Sequence, residues 1–527
     1  MPARATPARQ YPRKMDRLVA QPIVGMDDTL DWEVPRPGFA RELTNCYVPP
    51  GAFGRRVVGR PGLLGLGAQG GGVGARRTQF LGQFIKSDNT RTTIWICGGK
   101  FYTLNWGTRT WSETIDAAAF AGASVTLSTT ARVQAVTLND QIVFWDGTND
   151  PWMWDGTTVT ELTNAEIFTG FGCVYYAKVF GPKGDTFYWS EEGDPTTGYA
   201  AGGYNYAWAP MQTARITSMA ASNSALYVAE ANRMIRVTGA VDDAFQTTGT
   251  RSDVSEEIGT RSPMLVTDQG VVLVSSEGNP LLYNGQFVDL WKACQSLIST
   301  IHLDALDQVQ ILSWPSIDAV LIGLPLQPND VVSQWAVFRL NDGEPRYIGR
   351  WDLGLNDAAA VVLNDDLVPC FLVSGNDDGY VYEMGQPTGT QWDDAFTSGT
   401  VSIPHTVTWQ PLVGDPDMDR HYDRATVILD GTATTEQITF RYQTTRKMST
   451  PITKTVTSSS GAQLGVSFVL GTSSMALPTV ERRVVFGIKG HGRAYAPTIA
   501  HDEMGATFAV KATSVEAYPW GMDSTHP

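Results

Sequence analysis

The chain has 527 residues, of which 42% are hydrophobic and 18% charged, with 52 glycines, 16 tryptophans and a net charge of −15. This length allows two to four domains with full cores, and the charged fraction lies below the quarter usual for soluble domains. The acidic balance argues against tight nucleic-acid binding, no apolar run nears a membrane span, and five scattered cysteines argue against a disulfide framework or a zinc site.

Residues 1–80 hold 12 Lys+Arg against 6 Asp+Glu, and the remainder holds 27 against 48. A basic head therefore precedes an acidic body. The opening MPARATPARQYPRKMDR is Arg-rich without an apolar run, so it reads as an extended arm rather than a secretory signal. Pro and Gly dominate PRPGF (35–39), VPPGAFGRR (48–56) and GRPGLLGLGAQGGGVG (59–74). Residues 1–77 are accordingly expected to form an extended basic arm ending in a Gly-rich linker.

From residue 78 short apolar or alternating runs are separated by Asn/Asp-Gly-type turns, the strongest local signal for antiparallel hairpins. Examples are TIWICGGKFYTLNW (93–106), AVTLNDQIVFWDG (135–147), PWMWDGTTVTEL (151–162) and AVVLNDDLVPCFLVSGNDDGYVYEMG (360–385). Aromatic-Asp/Asn-Gly units close at Gly147, Gly156 and Gly285, the last two separated by three steps of 43 residues. That step is close to a four-stranded propeller blade of about 40–45 residues. Residues 78–389 are expected to form a β-propeller of about six or seven blades, with an array of β-sandwiches as the other solution to the same grammar. Residues 290–309 place Trp291, Cys294, Leu297, Ile298, Ile301 and Leu306 on a helical period, predicting one helix. Longer strands from RATVILDG (424–431) to SVEAYPW (514–520) predict a C-terminal β-sandwich over 390–527.

Chemical motifs are weak. Gly65, Gly67 and Gly70 fit GxGxxG, but Arg-Pro-Gly precedes them and more glycines follow, instead of a strand and a helix. Asp415, Asp417 and Asp419 alternate like a calcium loop, without Gly at the sixth position or Glu at the twelfth. The carboxylate pairs Glu191-Glu192, Asp365-Asp366, Asp377-Asp378 and Asp393-Asp394 are sequence neighbours, whereas glycoside hydrolysis needs two carboxyls facing across a cleft. Trp145, Trp152 and Trp154 could stack on sugars or fill a core. No catalytic, metal or cofactor residues are assigned, and no cofactor is expected.

The run from Asn45 through Gly54-Arg55-Arg56 to Gly59-Arg60-Pro61-Gly62 resembles the opening of bacteriophage tail proteins, in which a Gly turn leads into an Arg-Arg-Pro-Gly-like corner before a propeller. Here Val57-Val58-Gly59 separates the arginines from the Pro-Gly. Phe486 to Tyr495, with Arg493, is similar to the Gly-Arg-aromatic strand that closes their terminal sheet domain. The resemblance is to the tail nozzle family of short-tailed phages, also called tail tubular or packaged-DNA-stabilising proteins. It implies a non-enzymatic virion tail subunit, made in the bacterial cytoplasm. It further implies a hexameric ring below a portal-adaptor ring, tail fibres or spikes around it, and DNA passing through its channel without specific binding. Arg55, Arg56, Arg60 and Arg493 become the expected assembly contacts. A glycan- or receptor-binding propeller and a propeller glycosidase are the other readings.

Overall fold

The computed structural model describes residues 16–20, 23–29, 38–50, 56–67, 76–199, 205–207, 215–239, 250–340, 344–376, 378–386, 393–396, 399–413, 419–429, 436–445, 447–456, 482–502 and 509–519. The chain divides into two compact units, one of residues 61–401 and the other of residues 1–60 with 402–527.

The first unit is a propeller whose described residues form seven antiparallel blades. Blade 1 comprises Thr78–Ile85, Arg91–Cys97, Lys100–Asn105 and Thr110–Ile115; blade 2 comprises Gln134–Leu138, Gln141–Trp145, Trp152–Trp154 and Val159–Glu161. Blade 3 starts at Cys173–Tyr175, blade 4 at Ile216–Ala221, blade 5 at Leu265–Thr267, blade 6 at Gln310–Trp314 and blade 7 at Asn356–Leu363. First strands neighbour one another in sequence order, and the first strand of blade 7 returns to that of blade 1, so the ring is closed. The 43-residue step is thus an average over unequal blades.

The turn chemistry explains the hairpins. Asn139 and Asp140 both adopt positive φ (43° and 61°) between partners Leu138 and Gln141, the two-residue turn whose twist matches its strands. The Asp of each aromatic-Asp-Gly unit folds its own loop. Asp146 Oδ1 accepts the amides of Thr148 and Asn149 at 2.9 and 2.8 Å, and Asp155 Oδ1 accepts those of Thr157 and Thr158 at 2.8 and 2.7 Å. Aromatic side chains fill the gaps between blades. Between blades 1 and 2, Phe144 stacks on Trp152 at 4.2 Å, and Phe101 meets Trp154 edge-on at 5.0 Å. Trp145, Trp152 and Trp154 are each 2% exposed, so they are core residues and present no stacking surface to a sugar.

Ring closure departs from the expected arm. The outermost strand of blade 7 is Leu63–Gly65, which pairs antiparallel with Val381–Met384 in the register Leu63↔Met384 and Gly65↔Tyr382. Leu66 follows it into the cluster of Trp95, Tyr102, Trp111, Leu372 and Val381 that joins blades 7 and 1. On the inner strands, buried Asp357 accepts the Thr78 amide at 2.9 Å, and Gln83 bonds Leu363 through both ends of its amide at 2.6 and 2.9 Å. Outside, Arg109 pairs with Glu383 at 2.5 Å. Gly67 belongs to this closure too. Its φ is +64° and an added Cβ would sit 2.5 Å from the Arg109 carbonyl oxygen, so it serves a backbone crossing, not a nucleotide loop.

The expected helix over 290–309 is broken into Trp291–Ala293, Gln295–Ile298 and Leu303–Gln308. Cys294, Leu297, Ile301 and Leu306 are buried as the periodicity required. The break falls at His302, whose extended backbone donates its N–H to Pro325 O at 2.9 Å, and the neighbouring Ile301 bridges to Leu326. A sheet partner has captured the amide that a continuous helix would have used.

The second unit is the expected two-sheet sandwich, with strands from both ends of the sequence. One sheet pairs Asp16–Val19 and Val57–Gly59 with Ala509–Pro519, followed by Arg420–Leu429 and Arg482–Gly492. The other pairs Phe39–Thr44 with His405–Trp409, then Ala494–His501, Glu436–Thr444 and Ile452–Val456. Phe440 stacks on Phe486 at 4.6 Å and Tyr495 meets Tyr422 at a tilt of 35°, ring centroids 5.0 Å apart, joining the sheets. The described parts of residues 1–77 are therefore strands of the two units, not a separate arm. The later boundary also moves, from 389 to 401, because Asp394–Phe396 and Gly399–Val401 belong with the propeller.

Candidate functional site

The sandwich strands contributed by residues 39–60 converge on Asn45 and Arg60, which bracket the motif singled out in the sequence. Asn45 takes a positive φ of 53°, a conformation its short amide tolerates. Its backbone carbonyl accepts Arg60 N–H at 2.8 Å, its Oδ1 accepts Arg60 Nε–H at 3.1 Å, and its Nδ2 donates to Pro404 O at 3.0 Å. One side chain thus ties two early strands to the segment that enters His405–Trp409.

Beneath them lie two histidines. His405 and His501 are cross-strand partners, 3% and 2% exposed, with ring centroids 5.9 Å apart. Gly59 packs so closely that an added Cβ would stand 2.4 Å from His405 Nε2. Burial first, then His501, then the Arg60 guanidinium push the His405 pKa down to about 3, so His405 is neutral at pH 7.

These facts re-sort the expected assembly residues. Arg60 is 2% exposed and serves its own unit, which corrects its assignment as an intersubunit contact. Arg56 is half-buried at the turn before Val57–Gly59. Arg493 is exposed, its Nε 3.8 Å from an Asp419 carboxylate oxygen, and its amide donates to Thr445 Oγ1 at 3.2 Å. Arg55 lies outside the described residues. Arg60→Ala is expected to cost ~3 kcal/mol in urea unfolding of the sandwich, because it strips a buried acceptor of its partner. Arg493→Ala is expected to stay within about 0.5 kcal/mol, as exposed pairs do.

Among the described residues, the members of the carboxylate pairs have separate structural settings. Glu191 ends the strand Thr186–Glu191 and Glu192 opens the turn after it, both exposed; Asp365-Asp366 sit in an exposed turn, Asp394 is buried and accepts the Leu63 amide at 2.9 Å, and Asp377 lies outside the described residues. Of the calcium-like triplet only Asp419 is described, and among the described residues no cluster of three His, Cys, Asp or Glu side chains could hold a metal. No helix of the described residues is long and apolar enough to cross a membrane.

Arg132, just before blade 2, donates to Asp307 O and, at 3.2 Å, to Val309 O at the entry to blade 6, with its guanidinium 5.2 Å from the Phe171 ring centre. Arg77 reaches Gln308 Oε1 at 2.8 Å in the same region. Side chains therefore link the entries of blades 1 and 2 to the entry of blade 6, across the ring. Only the ring geometry brings positions 132 and 307 together.

No protein-family model matches the sequence, and no curated protein matches it. Solved structures that the chain partly matches include the extracellular domain of the putative hybrid two component system BT4673 from B. thetaiotaomicron, at 10% identity and TM-score 0.38, with 61% of this chain and 39% of that one covered. This chain thus spans about two fifths of that protein's length. The computationally designed Ika8 protein is 12% identical with TM-score 0.35, covering 61% and 99%. An exo-β-1,3-galactanase from Phanerochaete chrysosporium is 9% identical with TM-score 0.22, covering 77% and 98%. These likenesses are too slight to carry a functional argument.

Proposed function

We propose that the chain is a non-enzymatic structural subunit of a short-tailed phage tail, forming a nozzle-like ring around a DNA channel. The observation that carries this reading is the segregation of charge between the units. Residues 61–401 hold 18 Lys+Arg and 37 Asp+Glu, net −19, whereas residues 1–60 with 402–527 hold 21 and 17, net +4. An acidic propeller repels the phosphate backbone and would let DNA slide past without adsorbing. Because Arg132 and Arg77 tie the entries of blades 2 and 1 to that of blade 6 across the ring, the channel would run between subunits and not through one of them. The resemblance at Asn45–Gly62 and Phe486–Tyr495 supports the same reading.

Negative-stain imaging with mass determination tests it, on the protein alone and mixed with a candidate adaptor ring. A closed ring with a central opening is expected in at least one sample. A persistent monomer in both would sink the proposal, and so would saturable binding of duplex DNA at physiological salt.

A further inference from the structure

The edge of the sandwich holds a groove of about 600 Å³, within the size range of small-ligand sites. Its floor is apolar, made by Ile452, the buried Ile488 and the ring of Tyr442. The rest of its lining carries Lys447, Lys489 and His491, one carboxylate, that of Asp423, and the hydroxyls of Ser449 and Thr450. Neither Lys447 nor Lys489 has a carboxylate in ion-pair reach among the described residues, in a chain whose net charge is −15.

The walls are held in place before any ligand arrives. Thr444 N donates to Lys447 O at 2.8 Å, and Lys447 N returns a bond to Thr444 Oγ1 at 3.1 Å. Tyr442 N donates to Ser449 Oγ at 2.9 Å, and Ser449 N donates to Tyr442 O at 2.8 Å. Tyr442 Oη donates to Lys489 O at 2.7 Å, fixing the facing strand Arg482–Gly492 from the opposite sheet. A rim of lysines that only solubilised a surface would need neither a cavity beneath it nor a braced turn beside it.

We propose that this groove binds an acidic saccharide unit, with its carboxylate between Lys447 and Lys489, its hydroxyls on Asp423 and Thr450, and its C–H face on Ile452. Two other occupants fit less well. An extended acidic peptide adding to the strand Arg482–Gly492 would find two of its acceptors already engaged, Val485 O by Lys454 Nζ and Lys489 O by Tyr442 Oη. A lone phosphate would leave most of the volume and the apolar floor unused.

Calorimetric titration of the full-length protein tests this with four probes: a galacturonic acid trisaccharide, a galactose trisaccharide, inorganic phosphate and a tetraglutamate peptide. The acidic trisaccharide is expected to bind saturably. Its affinity should fall at least ten-fold in the Lys447→Ala/Lys489→Ala double variant, and it should be unchanged in Lys100→Ala, a lysine paired with Glu113 on blade 1. Equal binding of the neutral trisaccharide, phosphate or the peptide would overturn the assignment. So would an undiminished affinity in the double variant, a loss in Lys100→Ala, or no binding of the acidic trisaccharide at millimolar concentration.

Discussion

Replacing Leu63 with Asp is expected to lower the stability of the propeller by ~4 kcal/mol, more than any surface substitution, by burying an unpaired charge and emptying a core position. Leu63 is 0% exposed and opens the strand that completes blade 7. Its amide is held by Asp394 Oδ1 at 2.9 Å, and the flanking backbone is held by Gly385 N to Gly62 O at 2.8 Å and Leu66 N to Val381 O at 2.9 Å. When the strand leaves, Val381–Met384 becomes a sheet edge and the Leu66–Trp95–Trp111 cluster loses a wall. The closing contacts between blades 7 and 1 would then have to hold the ring unaided. Leu63→Met keeps volume and polarity and should cost less than ~1.5 kcal/mol. Scanning calorimetry reads the difference: an early transition in Leu63→Asp, absent from Leu63→Met, is the expected result. Equal melting of both variants would show that the ring closes without this strand.

The second large effect is on acid stability. The pKa of folded His405 lies near 3, well below its ordinary value of 6.5, because burial, His501 and Arg60 all oppose its protonation. A depressed folded pKa gives stability that is complete above the ordinary pKa and is lost as pH falls towards the folded one. His405 alone is therefore expected to remove ~2 kcal/mol between pH 7.5 and pH 5, since the unfolded chain takes up the proton that the folded chain refuses. Urea midpoints measured over that interval should fall steeply for the natural sequence and less steeply for His405→Gln. Carboxylates contribute equally to both proteins, so the difference in slope isolates the histidine. Parallel slopes would mean that the imidazole is solvated or repacks around its charge. The packing against Gly59 makes such repacking difficult, because any movement of the ring meets the strand that carries Arg60.

How much of this was legible in the sequence followed contact range. The hairpin at Asn139-Asp140 and the loops closed by Asp146 and Asp155 are specified by residues within three or four positions of one another. The sequence displayed them, and with them a propeller of six or seven blades. The strand Leu63–Gly65 left no such trace. It is three residues long, lies in a Pro/Gly-rich stretch, and finds its partner at Val381–Met384. Local pattern assigned it to a linker because nothing local makes it a strand. The same holds for Val57–Gly59, whose partners lie at Cys46–Tyr47 and Ala509–Val510. The helix over 290–309 failed differently. Of its six periodic residues, Cys294, Leu297, Ile301 and Leu306 are buried and Trp291 and Ile298 half-buried, but periodicity is blind to a distant carbonyl such as Pro325 O competing for the His302 amide. At the candidate site, Asn45 and Arg60 were visible as a motif, and their burial was not. Arginine is usually exposed, and only the tertiary pairing of Arg60 with Asn45 reverses that expectation.

The long-range pairings also set a timetable for synthesis. A ribosome delivers Leu63 well before Met384, and Asp16 well before Ala517, yet each needs the later residue as its strand partner. At ~5–20 residues per second the first strand of the sandwich waits roughly 25–100 s for its neighbour. Blades 1 to 6 can form hairpin by hairpin as they emerge, because their pairings are local. The N-terminal strands cannot, and through that interval they present unpaired edges and apolar residues such as Leu43, Cys46 and Leu63 to the surrounding water. The nascent chain is thus most exposed to misassembly at its oldest end, and folding helpers acting during translation would have most to do there.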